Sequence, residues 1–417
     1  MIVLSVFWGN KKIGKLWSEK AANIAFQYDE EYLKSDGAKS VSLSLPLQSG
    51  PVIDDKAKAF FANLLPEGDI RHTIAQIKQV SEYNDISLLK AIGGECAGAL
   101  SLLPEGMLPE HEGHYKLLSE NELMKMLDLS SSKPLLVYDN DLRLSLAGAQ
   151  DKLPVYIADN QIFLPKGNLA STHIIKHESR YFPDIVENEY FCMQLARYIG
   201  LDVPDVELKI IKGGKIYIIE RYDRNKDNDG KVSRIHQEDF CQCLNIVPAM
   251  KYESDGGPGL VQCFELLDKY SIQPIIDRKK LIEWMWFNCL IGNADAHAKN
   301  ISMVYQDNGL VLAPFYDLMS TIVYPELSKK MAMKTGGENR YSWIKERHLR
   351  DFAESISVKP DLLINIGRHM ASTMMIGQEH ILNSYEQQHG ENKTISKILQ
   401  IIKNNAESTG CMENIET

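Results

Sequence analysis

The side chains with the clearest capacity for chemistry are gathered in the segment 292–318, GNADAHAKNISMVYQDNGLVLAPFYDL. Asn300 and Asp317 offer amide and carboxylate oxygens, the hard donors that Mg²⁺ prefers when it also binds nucleotide phosphates. Asp295 precedes Asn300 by the spacing at which protein kinases carry the acid that accepts a hydroxyl proton and an asparagine that binds metal. This pattern indicates phosphoryl transfer. A polar loop that caps a hairpin is the alternative, because the spacing alone is common by chance.

A β-hairpin is expected to position two of these groups. The strand-like runs ISMVY and LVLAPF flank QDNG, in which Asn308-Gly309 is a favoured pair for a two-residue turn. With that turn, Tyr305 faces Leu312. Asn300 then faces Asp317, and directly opposed residues have Cβ atoms roughly 4.5–5.5 Å apart. The hairpin is therefore predicted to deliver an amide oxygen and a carboxylate to one spot.

Groups that bind phosphates are expected in the strand-rich part upstream. The run SLAGAQDK, residues 145–152, places small residues between two strands, where backbone N–H groups could approach phosphates. Lys176 ends the apolar strand THIIK, and Glu187 or Glu189 on the next helix could orient it, a choice that the sequence leaves open. Each signal is weak alone. The loop also fits an ordinary hairpin turn, and the lysine also fits a solvent-exposed residue at the end of a strand.

Length and composition are those of a folded protein of two or three domains. The chain has 417 residues, of which 44% are apolar and 24% charged. Its net charge of −10 disfavours direct binding to nucleic acid, because phosphate binding needs a cationic surface. Seven cysteines without a zinc-binding pattern predict buried thiols in a reducing compartment. With no signal peptide or membrane-length apolar run in the sequence, a cytoplasmic location is expected.

Strand patterns precede helix patterns along the chain, which favours the α+β class with two lobes. The polar end, residues 405–417, is expected to be disordered. The other expected features are, in chain order, helices at 56–65 and 69–79, a hairpin turn at Asn160, a helix at 184–200, a hairpin turn at Gly213-Gly214 and mostly helices from 236 to 404.

Seven short motifs occur in an informative order: LSLAGAQDK, THIIK, NEYFC, IIERYDR, HQEDFCQ, IGNADAHAKNIS and FYDL. Together they resemble the HipA family, the kinase toxins of bacterial HipBA toxin–antitoxin modules. SLSLPL and FFANLLPEGDIR extend the resemblance into the N-terminal part. The resemblance implies a two-lobed protein-kinase-like fold with three parts, an N-terminal HipA-type subdomain at 1–109, a strand-rich nucleotide-binding part at 110–235 and a helical lobe with the catalytic loop and metal site at 236–404.

The resemblance also implies roles for individual residues. Asp295 would be the catalytic base, Asn300 and Asp317 the Mg²⁺ ligands, and Ser145 a site of autophosphorylation that switches the enzyme off. Asp151 stands where the family usually has Glu. The residues that would contact ATP are Ala147, Gly148, Ala149, Gln150, Asp151, Lys152 and Lys176 at the phosphates, Glu220, Arg221 and Tyr222 at adenine, and His297, Ala298, Lys299, Asn300, Tyr316 and Asp317 elsewhere in the nucleotide site.

The implied function is an ATP- and Mg²⁺-dependent serine/threonine protein kinase that acts as a toxin on a translation component such as an aminoacyl-tRNA synthetase. The implied partner is a HipB-like helix-turn-helix antitoxin, through which any DNA contact would be indirect. Two alternatives remain, namely a pseudokinase that serves as a co-repressor and a kinase of small molecules. The presence of Asp295, Asn300 and Asp317 counts against the pseudokinase, because an inactive protein has no chemical need for all three.

Overall fold

The computed structural model describes residues 1–18, 24–53, 55–109, 113–127, 134–137, 145–148 and 150–411. The chain forms two compact units. The first unit comprises Met1–His177 and Lys209–Ala249, and the second comprises Glu178–Leu208 and Met250–Thr417.

Strands lie mainly in the first unit and helices mainly in the second, which confirms the predicted α+β class. The strands of the described residues are β1 (Ile2–Trp8), β2 (Lys11–Ser18), β3 (Ala25–Tyr28), β4 (Val52–Ile53), β5 (Leu100–Pro104), β6 (Tyr115–Leu117), β7 (Lys152–Ala158), β8 (Gln161–Pro165), β9 (His173–His177), β10 (Val206–Ile211), β11 (Gly214–Glu220), β12 (Arg224–Lys226), β13 (Val232–Arg234), β14 (Gln237–Asp239), β15 (Ser302–Gln306), β16 (Gly309–Leu312), β17 (Lys330–Thr335) and β18 (Glu338–Arg340). The helices of the same residues are α1 (Glu30–Leu33), α2 (Asp55–Ala62), α3 (Gly68–Ile77), α4 (Asp85–Ile92), α5 (Glu120–Met126), α6 (Ile185–Tyr198), α7 (Phe240–Cys243), α8 (Leu260–Tyr270), α9 (Pro274–Ile291), α10 (Glu346–Ser355), α11 (Pro360–His389) and α12 (Lys393–Ser408).

Two sheets organise the first unit. One is antiparallel with the order β4-β3-β2-β1-β5, and α2 and α4 pack on it. Leu4 and Val6 lie two residues apart in β1 and therefore share one face of the strand. Both are fully buried in one core with Phe60 and Phe61 of α2. The other sheet has the order β10-β11-β9-β7-β8-β6, which places β9 between β7 and β11.

Turn chemistry sets the hairpins of the second sheet. Asp159 and Asn160 both have positive φ, +50° and +58°, and join β7 to β8, which confirms the turn predicted at Asn160. The turn between β10 and β11 consists of Lys212 and Gly213, with φ of +49° and +88°. The prediction at Gly213-Gly214 was therefore wrong by one residue, because Gly214 is the first residue of the returning strand.

Buried charges link the loop before β5 to the segment after β11. Arg221 makes a bidentate contact with Asp223, with Nε–Oδ1 and Nη2–Oδ2 distances of 2.9 and 2.8 Å. The backbone N–H of Gly98 donates to Asp223 Oδ2 at 2.8 Å, and Arg224 Nη2 lies 2.8 Å from Glu95 Oε1. Burial by itself would raise the pKa of Glu95, but the surrounding arginines, Arg224 first, lower that pKa to about 2. This buried ion cluster is therefore fully ionised at neutral pH.

A neutral histidine lies beside the buried ion cluster. His236 Nε2 is 2.8 Å from Val41 O, and the Ala99 N–H points to its Nδ1 at 3.5 Å, a pattern that suits the uncharged ring. Burial lowers the pKa of His236 from 6.5 to about 4.

Acidification should destabilise the first unit through His236. Between the unfolded pKa near 6.5 and the folded pKa near 4, the unfolded chain binds a proton that the folded chain does not, so stability falls as pH falls through this window. The loss should approach roughly 3 kcal/mol by pH 4. Urea titrations at several pH values would measure it. His236→Gln should flatten the profile in this window, and an unchanged slope in that variant would contradict the assignment.

Helix α9 is the centre of the second unit. Trp284, Trp286 and Phe287 are buried there, and α8, α11 and α12 pack around α9. Trp286 Nε1 donates to Leu363 O at 3.0 Å. Gly367 of α11 lies against the same indole, where a Cβ would come within 2.5 Å of Trp286 Cε2, so only glycine allows this close helix contact.

The last helix extends beyond the predicted boundary. The polar end from residue 405 was predicted to be disordered, which is wrong for the described part, because α12 continues to Ser408. Asn405 Nδ2 donates to Cys289 O and Leu290 O at 3.1 and 3.2 Å, so a polar side chain anchors the helix internally. All seven cysteine side chains are buried thiols, as predicted. Across the described ranges, no helix has both the length and the apolar character to span a membrane.

Candidate active site

The loop that carries Asp295 is held by side-chain hydrogen bonds to its own backbone. Gly292 caps the C-terminal end of helix α9 with φ of +71°, and its carbonyl oxygen accepts the N–H of Thr321 at 3.1 Å. The Ala294 N–H donates to Thr321 Oγ1 at 2.6 Å, and the Asp295 N–H donates to Asn293 Oδ1 at 3.1 Å. These bonds satisfy backbone groups in a buried loop that lacks regular structure, and they fix the backbone position of Asp295.

The Asp295 carboxylate is accessible and has two polar neighbours. Half of the side chain, 50%, is exposed. Its Oδ1 accepts the hydroxyl hydrogen of Tyr252 at 2.6 Å and lies 3.7 Å from His297 Nε2. An exposed carboxylate held in one orientation has the access that a general base requires.

Asn300 is oriented by Asp295. It ends the short 3₁₀ turn Ala298–Asn300, directly before β15. Its side-chain nitrogen donates to the backbone carbonyl of Asp295 at 3.0 Å. This hydrogen bond places the amide oxygen on the opposite edge of the group, where it can act as a metal ligand.

Asp317 returns to this loop by way of the chain after β16. The Ala313 N–H donates to Ser302 O at 2.9 Å, and the Tyr316 hydroxyl donates to Lys299 O at 2.8 Å. Asn293 Nδ2 donates to Asp317 O at 3.4 Å. Asp317 itself has φ of +53°, an uncommon conformation for a residue with a side chain, and such residues cluster at functional sites.

The predicted register of this hairpin was wrong by two residues. Tyr305 pairs with Leu310, and Gln306 pairs with Gly309, so the turn consists of residues 307–308. Gly309 has φ of +142° and contacts Ile272, where a Cβ would lie 2.3 Å from Cγ2. The glycine therefore serves a close contact at the start of β16 and is not part of the turn.

Asn300 and Asp317 lie in one region for a different reason from the predicted strand pairing. Strand β15 begins at Ser302 and β16 ends at Leu312, so neither residue belongs to the ladder, and the predicted cross-strand pairing of the two is wrong. The return segment 313–317 along the 293–302 loop brings them into the same region instead.

The donor set fits a partly hydrated Mg²⁺ ion. Asn300 supplies an amide oxygen and Asp317 a carboxylate, and Mg²⁺ is commonly held by one or two protein groups together with phosphates and water. Within the described ranges there is no cluster of three or more histidine, cysteine or carboxylate side chains that could hold a metal. Two protein donors would leave the remaining positions of the ion to water and nucleotide phosphates.

The predicted phosphate loop lies in the first unit, directly before β7. Gly148 has φ of +110°, and its carbonyl accepts the Glu67 N–H at 3.1 Å. Lys152 Nζ donates to Ala147 O at 2.6 Å, and a Cβ on Gly148 would lie 2.9 Å from that ammonium, so glycine allows the lysine to approach the loop. Ala149, the third small residue predicted here, lies outside the described residues.

Two further loop residues differ in their contacts. The Asp151 carboxylate accepts the N–H groups of Leu135 and Lys152 at 3.0 and 3.1 Å, so its short side chain supports the base of the loop. Gln150 Nε2 is buried without a hydrogen-bond partner among the described residues. A buried amide nitrogen of this kind can donate to a polar ligand.

Two lysines stand opposite each other at the end of the sheet next to this loop. Lys152 of β7 pairs directly with Lys176 of β9, and the two are only 8% and 4% exposed. Like charges at directly opposed positions destabilise a sheet. Two cationic side chains at this end of the sheet are suited to contact an anion such as a nucleotide phosphate.

The proposed adenine-binding segment is partly engaged within the first unit. The Arg221 N–H donates to Thr172 O at 2.9 Å, and its guanidinium belongs to the buried ion cluster. A backbone contact from Arg221 to adenine is therefore limited to its carbonyl group. Glu220 ends β11 opposite His173, and the Tyr222 hydroxyl donates to the Gln237 side chain.

Ser145 is fully buried. Its Oγ donates to Leu64 O at 2.7 Å, and its backbone N–H donates to Glu95 O at 2.8 Å. A phosphoryl group cannot reach this hydroxyl unless the segment leaves its place.

In the second unit, the helix α6 residues Glu187 and Glu189 are also fully buried, and their predicted relation to Lys176 stays open.

Sequence reasoning missed Tyr252 and Asn293. Asn293 is adjacent to the predicted acid in the sequence, but its role depends on a hydrogen bond to the Asp295 N–H. Tyr252 lies in the run KYESDGGPG, residues 251–259, far from Asp295 in the chain. Its concentration of glycines is the only sequence signal of a specially shaped segment.

Known proteins resemble the chain over most of its length. Two family descriptions match it, "HipA-like C-terminal domain" at residues 144–377 and "HipA N-terminal domain" at residues 4–103. It is 44% identical over 339 residues to Y4mE of Sinorhizobium fredii, a protein named as a candidate kinase, with coverage of 80% of this chain and 81% of that protein. It is 30% identical over 378 residues to the serine/threonine-protein kinase toxin HipA of Shewanella oneidensis, with coverage of 87% and 86%.

A solved structure extends this similarity to the fold. A chain of the complex of HipA, HipB and operator DNA from Shewanella oneidensis superposes with a TM-score of 0.82 at 27% identity, over 98% of this chain and 96% of that chain. The match over nearly the whole length confirms the predicted fold class.

Proposed function

This chain belongs to the HipA family, and from that premise we propose that it is an ATP- and Mg²⁺-dependent serine/threonine protein kinase that acts as the toxin of a type II toxin–antitoxin system. The observation that carries the proposal is the loop of the second unit that contains Asp295. The Asp295 side chain is half-exposed, its backbone carbonyl accepts a hydrogen bond from the Asn300 side chain, and the returning segment with Asp317 lies beside the loop. These are the three groups that phosphoryl transfer to a hydroxyl requires.

Asp295 is the proposed general base. A substrate hydroxyl would donate its proton to the carboxylate while its oxygen bonds to the γ-phosphorus, the bond to the β–γ bridging oxygen breaks, and ADP departs. Asn300 and Asp317 would hold Mg²⁺, which when bound neutralises charge on the phosphates.

Each unit by itself has proposed contacts with ATP. In the first unit, the backbone of the loop 147–152 together with Lys152 and Lys176 would contact the phosphates, and Glu220–Tyr222 would contact adenine. In the second unit, the proposed contacts come from the buried 3₁₀ turn and from the tyrosine bonded to it. These residues are His297, Ala298, Lys299 and Tyr316.

A HipB-like antitoxin and a protein of the translation machinery, such as an aminoacyl-tRNA synthetase, are the proposed partners in the cytoplasm. The first is supported by the matching structure, whose title names HipB and operator DNA alongside HipA. Because the chain carries a net charge of −10, the antitoxin is proposed to make the DNA contacts.

Quantitative phosphoproteomics of cells after brief expression would test the proposal. New phosphoserine or phosphothreonine on a translation protein that is absent with Asp295→Asn would support it. Transfer of label from ATP to metabolites but never to protein would indicate a small-molecule kinase. ATP binding without any transfer would indicate a pseudokinase.

Ser145 should be the main site of self-labelling with radioactive ATP. Its buried position has no room for a phosphate that carries about −1.5 to −2 charges, so the modified segment should leave its buried position and ATP affinity should fall at least about 10-fold. Ser145→Ala should remove most of the label, whereas Ser81→Ala, at an exposed serine of the same unit, should keep it. Peptide mass spectrometry that places the label elsewhere would contradict this prediction.

A further inference from the structure

We propose that Tyr252 is a positioning residue for phosphoryl transfer, which orients the Asp295 carboxylate before a substrate binds. This inference rests on the proposed kinase function. It assigns a second side chain to the reaction, from a segment that is distant from Asp295 in the chain.

The contact between the two side chains is short and directional. The Tyr252 hydroxyl donates to Asp295 Oδ1 at 2.6 Å. The Tyr252 ring packs edge-on against His297, with ring centroids 5.3 Å apart and planes at 74°. His297 Nε2 lies 3.7 Å from the same Oδ1. One carboxylate oxygen is thus committed to the protein, which leaves Oδ2 to accept the proton of a substrate hydroxyl.

The orientation would be poorly defined without the tyrosine. Half of the Asp295 side chain is exposed, and an exposed carboxylate can change rotamer freely. A base that is held within about 0.5 Å of the productive geometry is more effective than one that samples several rotamers. A fixed hydroxyl donor therefore raises the fraction of time in which Asp295 can accept the proton.

Tyr252 is itself fixed by the fold of the segment 250–259. Its carbonyl oxygen accepts the N–H groups of Asp255 and Gly257 at 3.0 and 2.9 Å. A Cβ at Gly257 would lie 2.0 Å from Met250 O, so the compact turn requires glycine there. These contacts argue for a rigid support of the base.

Glu253, the residue after Tyr252, connects the segment 250–259 to β17. The Lys334 N–H donates to a Glu253 carboxylate oxygen at 2.6 Å, and Lys334 Nζ lies 3.6 Å from the other oxygen. Tyr252 is therefore held by two contacts of the residues that follow it, the glycine turn and the bonds between Glu253 and β17.

A blocking role is the competing interpretation, because a tyrosine hydroxyl at 2.6 Å from the base resembles a substrate hydroxyl. The two roles predict opposite effects of removing the hydroxyl. A positioning residue makes Tyr252→Phe slower, whereas a blocking residue makes it faster.

The test compares Tyr252→Phe with a matched control. Tyr270→Phe removes a hydroxyl from another partly buried tyrosine of the second unit, and each tyrosine has a preceding lysine over its ring, Lys251 at 5.3 Å and Lys269 at 4.9 Å. We expect Tyr252→Phe to lower kcat for protein labelling roughly 10- to 100-fold, the usual effect of losing a residue that orients a functional group, with KM for ATP and the thermal midpoint unchanged. Tyr270→Phe should match the wild type in all three quantities.

A double-mutant cycle shows whether Tyr252 acts through Asp295. In the Asp295→Asn background, Tyr252→Phe should cause no further loss of the residual rate. An additive loss would overturn the proposal, as would a kcat for Tyr252→Phe that equals or exceeds that of the wild type. If Asp295→Asn abolishes labelling while Tyr252→Phe is fully active, only the role of Tyr252 fails. If the wild type labels nothing, or if Asp295→Asn is fully active, the proposed function fails with it.

Discussion

Asp295→Asn should lower the rate of phosphoryl transfer by roughly 10²- to 10⁴-fold, the usual contribution of a general base. Asparagine keeps the shape of the side chain and can retain a contact with Tyr252, but it cannot accept the proton of a substrate hydroxyl. The loss should therefore appear in kcat, with ATP affinity close to that of the wild type. Initial rates of labelling from radioactive ATP, together with calorimetric titration of ATP, would measure both.

Asp307→Asn is the matched control for this experiment. Asp307 is an exposed aspartate in the turn of the neighbouring hairpin, so the same substitution there should leave the rate unchanged. An Asp295→Asn variant that retains more than about a tenth of the wild-type kcat would exclude Asp295 as the general base.

Asp223→Ala should destabilise the protein by about 3–5 kcal/mol, because it leaves Arg221 buried without its bidentate partner. The substitution also removes the acceptor for the Gly98 N–H, at 2.8 Å. Neighbouring Arg224 is already affected by burial and by Arg221, which lower its pKa to about 10, so the loss of a negative charge would leave the remaining arginines repelling each other. Urea unfolding followed by circular dichroism should show a lower midpoint.

An exposed aspartate provides the comparison. Asp229 lies between β12 and β13 in the same unit, and Asp229→Ala should change the free energy of unfolding by no more than about 0.5 kcal/mol. If Asp223→Ala costs less than about 1 kcal/mol, the charges are not the buried, mutually dependent set that the distances describe.

Glycines explain the difference between the predicted and observed turns. Gly213-Gly214 and Asn308-Gly309 were both interpreted as two-residue turns, yet Gly214 and Gly309 each begin the returning strand. At Gly309 the cause is a tertiary contact, since Ile272 occupies the space that a side chain would need. The turn at Asn160 was predicted correctly because it depends only on local backbone preference.

Arg221 illustrates a limit of motif reasoning. Its motif predicts a segment that contacts adenine, whereas its guanidinium lies among Glu95, Asp223 and Ser171. Asp223 is two residues from Arg221, but Glu95 and Ser171 come from distant segments of the chain, so no local pattern could identify the complete set of partners. The roles of the individual site residues stay predictions, and the structure adds the contacts through which to test them.

The sequence by itself determined the residue types, their local spacing and the family, because Asp295 and Asn300 lie in one short loop and the motifs follow in order. The tertiary structure alone decided how Asp317 reaches that loop and that Tyr252 contacts Asp295. The physical reason is that local spacing constrains only neighbours within a turn or two. Contacts between distant segments depend instead on packing and on buried hydrogen bonds that the whole unit must satisfy together.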